Sequence, residues 1–534
     1  MGRNLIVIGA LLAVLALPFV LRPKQNLLAE ADDTLVIVSP HNEAIRYEFS
    51  RAFGDHYKAA TGRSVRIDWR IPGGTSEISK FIQSEYSAAF QYYWTRTLGR
   101  PWTAAVENGF SDHRVVLPDD PAGDDEAQAA RRAFLNSEVT SGMDLFFGGG
   151  RFDFDKQAKL GNLIDSGILN RHPTWFGGPD GIPQVLGGEE YWDKAGRWIG
   201  TCVSAFGIVY NRDTLERLKI ETPPAQWADL AGPRYTGQIA IADPTKSGSA
   251  AAAFEMLIQQ QMQESVKAAG GVVDERRLEE GWANAMQVIR RIAANARYFT
   301  DSASKIPLDV SLGDAAAGMA IDFYGRYQSE SVRGDNAVSR MEYVTPVGGT
   351  SIGSDPIGML RGAPNRAVAE AFMDFVMSED GQKLWNFKVG TPGGPEKFSL
   401  RRLPIVPSLY DPQFTQYRAD PEVNPYELAK AFEYHREWTG SLFSAISFTV
   451  RVMCLDAHHE LKEAWLALQK AGFPPKATAK FNEIAPFDYA SVKDKIAPAL
   501  RSADRIQQVI LARELGQQIR KQYHEVTELA ERGE

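Results

Sequence analysis

Leu35-Val36-Ile37-Val38 runs straight into Ser39-Pro40-His41-Asn42-Glu43-Ala44, and this stretch decides the fold. The apolar quartet, mostly β-branched, reads as a buried parallel strand. Ile45, Phe49, Phe53 and Tyr57 then recur every four residues as one helix face, and Thr61-Gly62 closes that helix. Val65, Ile67 and Trp69 alternate as a second strand. The three segments make a strand–helix–strand unit whose crossover is expected to be right-handed.

Working outward, Gly73-Gly74-Thr75-Ser76 precedes a helix carrying Ile78, Phe81 and Ile82. Residues 90–125, with Tyr92-Tyr93-Trp94 and an acidic stretch, read as an inserted loop region. Met143 to Phe147 is a strand ending in Gly148-Gly149-Gly150. The pattern restarts with strands at Phe206–Tyr210, Ile239–Ala242 and Met319–Asp322. The second of these runs into Thr245-Lys246-Ser247-Gly248-Ser249 and an alanine-rich helix. After Tyr343 a helix is expected over 367–384, and the last 110 residues or so carry helical patterns without strands. Two sets of parallel strands with Gly/Ser/Thr-rich turns at helix starts imply two α/β lobes and a cleft between them.

Composition bounds the function. The chain has 534 residues, 44% hydrophobic and 24% charged, so it is long enough for about three to four folding units. Its net charge of −8, spread without blocks, argues against a nucleic-acid partner. Cys202 and Cys454, the two cysteines, exclude a disulfide scaffold and a four-thiolate zinc site, and whether they pair is left open. Leu5 to Leu21 is an apolar run behind Arg3, with Ala29-Glu30-Ala31 beyond it. It reads as a cleaved signal peptide or an uncleaved anchor, and both place the bulk of the protein in the periplasm or cell envelope.

Three segments give the chain a family likeness. They are Val38 to Ala44; Trp198 through Asp213 to Gly237–Pro244; and Gly362 through Phe375 to Ser378-Glu379-Asp380-Gly381-Gln382. Together they resemble the two-lobed type II solute-binding proteins of bacterial ABC importers, the group with ferric-iron, sugar-phosphate and phosphonate-like binders. The resemblance implies an α/β fold of two lobes around a ligand cleft. The expected units are a signal or anchor (1–31), a first lobe (32–207 and 343–409), a second lobe (208–342) and a helical C-terminal extension (410–534). The chain is expected to cross between lobes near 205–211 and 342–348. A monomer is expected, with a small-molecule ligand, an ABC permease of the inner membrane as partner, no cofactor and no enzymatic activity.

The site expected from this reading has Ser39, His41, Thr75 and Ser76 on one lobe, and Thr245, Ser247, Asp322 and Tyr324 on the other, with Thr201 and Ser204 at the hinge. Backbone N–H groups at helix starts attract anions, although Thr75, Ser76 and Ser249 also fit as simple helix caps. A small, anionic organic solute is therefore the expected ligand. Ferric iron is the alternative: in iron binders of this family a histidine, a glutamate and two adjacent tyrosines hold the metal. His41 and Tyr324 stand at matching places, but Gly148–Gly150 occupies the glutamate's position and Gly325 follows Tyr324. Fe(III) prefers hard anionic oxygen ligands, so the loss weakens that reading. An anchored receptor or sensor subunit is the third.

The aromatic residues Tyr191-Trp192, Trp198 and Phe323-Tyr324 fit either a ligand floor or the core. Gly349-Thr350-Ser351-Ile352-Gly353 matches a hydrolase pattern, but an extended stretch follows it where a nucleophile elbow needs a helix. His458 and His459, as neighbours, face different ways on a helix and cannot chelate one ion by local spacing. The C-terminal helices, with Leu461, Trp465 and Leu468 as an apolar stripe, are expected to dock on the first lobe outside the cleft.

Overall fold

A computed structural model describes residues 31–334, 338–502 and 504–534. The apolar run at 5–21, expected as signal or anchor, lies outside them.

Strands β1 (Asp33–Val38), β2 (Val65–Arg70), β3 (Leu145–Phe147), β4 (Leu163–Ile164) and β5 (Ile199–Ser204) begin a first sheet. Strands β6 (Phe206–Asn211), β7 (Ile239–Ala242), β8 (Ala296–Thr300), β9 (Ala317–Ile321) and β10 (Met341–Val344) form a second one. Strands β11 (Gly353–Leu360) and β12 (Leu403–Pro404) return to the first. The orders are β12-β5-β11-β3-β1-β2, with β4 on β11, and β8-β7-β9-β6-β10. The chain thus changes sheets at Ala205 and again within residues 345–352.

Both sheets are mixed rather than purely parallel. β1 pairs parallel with β2 and β3, whereas β11 runs antiparallel to β3 and β5. In the second sheet β7 is parallel to β8 and β9, and β6 is antiparallel to β9 and β10. The antiparallel members are the strands that flank each change of sheet. A chain that leaves and re-enters at one end of a sheet runs those strands in opposite senses.

Helices α1 (Glu43–Thr61), α2 (Thr75–Tyr92), α3 (Arg151–Leu160), α4 (Gly248–Ala268), α5 (Glu275–Ala294) and α6 (Asp322–Arg333) cover the sheets. Leu35 and Ile37 pack with Phe49 and Phe372 on one face of the first sheet, and Val38 and Phe146 with Ile82 and Phe134 on the other. This burial on both faces is what an unbroken apolar strand requires.

Two local readings are corrected. The stretch from residue 90 is no loop at its start: α2 runs to Tyr92 and continues as a π-helical turn over Tyr93–Thr97. Trp94 is buried there, next to Phe90. The helix expected over 367–384 breaks at Ser378 into Arg366–Met377 and Glu379–Asn386. Ser378 caps the second piece, and Gln382 then reaches the first sheet, its amide donating to Thr201 O at 2.7 Å.

The C-terminal helices dock on the second lobe, not the first. Trp438, Ile446, Val450, Leu461, Trp465, Phe481 and Tyr523 share one apolar core with Trp282, Met286, Ile289 and Ile292 of α5. The physical reason lies in α5, whose apolar face needs more cover than its own lobe supplies. Contacts with the first lobe come from residues early in the extension, such as Val423, Tyr426 and Ala429, from Arg436, and from Phe443 against Phe152. Cys202 and Cys454 are both free and buried in separate cores.

Candidate functional site

A cavity of ≈ 210 Å3 lies between the sheets and draws on both lobes and the extension. Five helices present their N-terminal ends to it: Pro40, His41 and Asn42 lead into α1, Thr75 opens α2, Gly149 and Gly150 precede α3, Gly248 and Ser249 open α4, and Phe323 and Tyr324 lie in the first turn of α6. Each end carries N–H groups without intrahelical acceptors and the positive pole of a helix dipole.

Of the residues expected at the site, His41, Thr75, Ser204 and Tyr324 line this cavity. Ser39, Ser76, Thr201, Thr245, Ser247 and Asp322 are not in its wall. Their hydroxyls and carboxylate mostly serve the backbone instead. Ser39 Oγ accepts from His41 N (3.0 Å), Thr201 Oγ1 donates to Asp355 O (2.8 Å) and Thr245 Oγ1 donates to Asp243 Oδ1 (2.7 Å). Ser247 caps α4, and Asp322 accepts from Phe323 N and pairs with Arg326. Ser76 is half-buried beside the turn. Among the aromatic candidates, Phe323 and Tyr324 face the cavity, whereas Tyr191 and Trp198 are buried in the first lobe's core. Ser351 sits in the connection before β11, its Oγ donating to Glu189 Oε1 at 2.7 Å.

At the cavity wall stands a pair that sequence reading missed, Asp355 and Arg402. Arg402 Nη1 bonds Asp355 Oδ2 and lies 3.1 Å from Cys202 Sγ, and its guanidinium stacks 3.9 Å above the Phe323 ring. Asp355 Oδ1 accepts from Gly149 N at 2.6 Å. Burial alone would raise the Asp355 carboxyl, but the Arg402 guanidinium overrides it and holds the group at about 2. A lone Asp in the apolar run of β11, with an Arg just before β12, was the available signal, because charges in buried strands need partners.

His41 is 4% exposed, and burial pushes its imidazole below the ordinary value, so it is neutral at pH 7. Its Nε2 is 3.8 Å from Asp355 Oδ1, and neither ring nitrogen has a hydrogen-bond partner. Ser204 Oγ and Arg402 Nε are likewise buried without partners. Four such atoms belong to residues that line this one cavity. Gly148 and Gly149 have positive φ, and a Cβ on them would collide with His41 and Thr75. Positions 148 and 149 of this turn therefore have no room for a carboxylate side chain, whereas a Cβ at Gly150 would meet open space.

A second group of lining residues is acidic. Glu255 accepts from Tyr434 Oη (2.9 Å) and Thr439 Oγ1 (2.7 Å), and Arg151 lies 3.4 Å from Glu189 and 2.9 Å from Glu190. Burial pushes the Glu255 carboxyl up to about 7. Its folded-state value exceeds the ordinary 4.5, so the folded protein binds the extra proton and its stability falls as pH rises from about 4.5 to 7. The full effect is up to about 3 kcal/mol. Glu255→Gln should remove this slope, which urea melts of both proteins at pH 5 and pH 8 would show as a smaller difference in the variant.

Two sheets with a polar cavity between them, reached by two changes of sheet, are the fold of a two-lobed binding protein. Residues 139–401 match the family of bacterial extracellular solute-binding proteins. A phosphoglycerate transport regulatory protein, PgtC, of Salmonella typhimurium is 22% identical over 278 residues, which is 51% of this chain and 57% of that protein. An uncharacterized protein of Haemophilus influenzae is 25% identical over 245 residues, 45% of this chain and 60% of its own. The matches thus span less than two thirds of these relatives' length. Among solved structures, the periplasmic binding protein AfuA from Actinobacillus pleuropneumoniae, with fructose-6-phosphate bound, is similar at 17% identity and a TM-score of 0.44. That match covers 75% of this chain and 97% of AfuA. Iron-bound HitA from Pseudomonas aeruginosa is similar at 14% identity and a TM-score of 0.46, covering 78% of this chain and 99% of HitA.

Proposed function

We propose that this protein captures a small anionic organic solute, of sugar-phosphate or phosphonate type, between its lobes and delivers it to an ABC permease of the inner membrane. The observation that carries the reading is the convergence of five helix N-termini on a cavity whose buried donors, at His41, Ser204 and Arg402, lack partners. Helix N-termini and unpaired donors together favour a negative guest. The iron alternative is disfavoured because positions 148 and 149, where a Cβ would collide with His41 and Thr75, hold no carboxylate. The word phosphoglycerate in the Salmonella relative's name agrees with an organic phosphate.

Small molecules co-purifying with the protein, identified by mass spectrometry, test this directly. Ser204→Ala and His41→Leu should each weaken binding of the identified anion about tenfold or more, since a hydrogen bond to a charged group contributes roughly 1.5–3 kcal/mol. Titration calorimetry reads the change. Unaltered affinity in both variants, or a bound Fe(III) ion, would overturn the reading. That relative's designation as a regulatory protein favours a second reading, a sensor subunit. A chromosomal deletion separates the two: a sensor's loss abolishes induction of uptake, whereas a transport subunit's loss abolishes uptake even when the permease is expressed from a foreign promoter.

A further inference from the structure

Part of the cavity wall comes from outside the family match, from Tyr434, Arg436, Gly440 and Phe443 of the C-terminal extension. This segment is tied to both lobes. On the first, Tyr434 N donates to Gly187 O (2.8 Å), and Arg436 donates to Glu190 Oε2 (2.7 Å) and Asp155 Oδ2 (3.0 Å). Gly188 has no space for a Cβ because the Tyr434 carbonyl lies against it. On the second, the Gln259 side chain of α4 brackets His435, donating to its carbonyl (2.7 Å) and accepting from its N–H (2.8 Å).

The chemistry of this wall differs from that around Arg402. Tyr434 Oη and Thr439 Oγ1 both donate to Glu255 Oε1, which leaves Oε2 with no hydrogen-bond partner among the described residues. Glu255 is buried and lines the cavity, so that oxygen is an acceptor awaiting a donor. Neither Glu255 nor Tyr434 has a hydrogen bond or ion pair to Asp355, Arg402 or His41 among the described residues. The cavity therefore holds two separate sets of polar groups, one suited to an anion and one to a donor.

We propose that the segment 434–443 is the specificity-determining wall of the cleft. Tyr434 and Thr439 fix the Glu255 carboxylate so that Oε2 accepts a hydroxyl or ammonium hydrogen from the part of the ligand beyond its anionic group. A ligand without that donor would bury the acceptor unpaired, which is the strongest way a site rejects an analogue lacking a polar hydrogen. The inference rests on the anion-binding reading of the cleft and adds to it a second requirement on the ligand.

Two probes that differ only in hydroxyls, n-propyl phosphate and glycerol 3-phosphate, test it by titration calorimetry on the whole protein at pH 8.5, where the Glu255 carboxyl, held by burial at about 7, is ionised and Oε2 accepts. The wild type should bind glycerol 3-phosphate about tenfold or more tightly than propyl phosphate, as one satisfied buried acceptor is worth about that much. Glu255→Met, which removes the acceptor at similar size, should erase most of that preference, and Tyr434→Phe, which keeps the ring under Arg151, should reduce it. A preference that is absent from the wild type, or intact in both variants, overturns this proposal. If Ser204→Ala then still weakens both phosphates, the anion site stands without it. If neither phosphate binds the wild type, the organic-phosphate reading falls and takes this inference with it.

Discussion

Arg402→Met alone should cost the protein about 3–5 kcal/mol of stability, and adding Asp355→Asn should restore most of the loss. The pair is almost completely shielded, with the two side chains 5% and 9% exposed. Removing the guanidinium strands a carboxylate whose remaining hydrogen bond comes from Gly149 N. Met fills much of the same space between Phe323 and Trp385, which confines the effect to charge rather than to a cavity. The asparagine of the double variant removes that stranded charge. The Asp355 carboxyl is held at about 2, below its ordinary 3.8, so the pair's contribution is complete above about pH 4 and fades as pH falls through 2. Urea denaturation at pH 7 of the wild type, both single variants and the double variant measures the coupling. Additive losses would show that the pair is not a unit, and a loss under about 1 kcal/mol for Arg402→Met would place Asp355 in water.

Much of the architecture is legible in the chain because local pattern and tertiary role agree. Leu35 to Val38 is apolar at every position since helices cover both faces of its sheet, and Thr61-Gly62 ends α1 because Gly62 adopts φ +74°. The restart at Phe206 marks the first change of sheet, whereas Tyr343, read as the return, still belongs to β10 of the second sheet and the chain crosses after it. The sense of the strands could not be anticipated, because β11 and β5 are paired by a return from another lobe and nothing local encodes direction. Helix-start turns single out His41 and Thr75, which line the cavity, and by the same rule residues that do not. Thr245 and Ser247 are cap and turn residues of the same type in the same kind of place, and only packing decides which hydroxyl faces the cavity. Arg402, Glu255 and Tyr434 escaped detection because each lies far in sequence from the turns it meets. The Ser378 to Gln382 pattern, quoted for its family likeness, proves to be structural: a helix cap, a glycine with no room for a Cβ and a glutamine that ties the helix to β5.

A chain ending after Ala431 should lose the second lobe's cooperative unfolding rather than merely melt lower. The extension contributes to that lobe's own core: Trp282, Met286, Ile289 and Ile292 of α5 are fully buried together with Trp465, Phe481 and Tyr523. Polar groups depend on it as well. Trp282 Nε1 donates to Phe487 O at 2.8 Å, Trp465 Nε1 donates to Asn295 Oδ1 at 2.8 Å, and the buried Arg290 donates to the carbonyls of Phe481 and Glu483. Truncation would leave a cationic side chain and a broad apolar face of α5 in water, a surface that drives aggregation. A milder version is Trp282→Ala in the whole chain, expected to cost about 3–5 kcal/mol through lost burial and the void it leaves. Calorimetry should then show one transition weakened in the point variant and missing in the truncated chain, with hydrogen exchange fast across α4, α5 and β7. A soluble truncated protein melting at the full chain's temperature would mean that the second lobe closes its core unaided. If that protein also kept its ligand affinity, the wall at 434–443 would have no part in the site, so this one deletion bears on the fold and on the specificity it is proposed to confer.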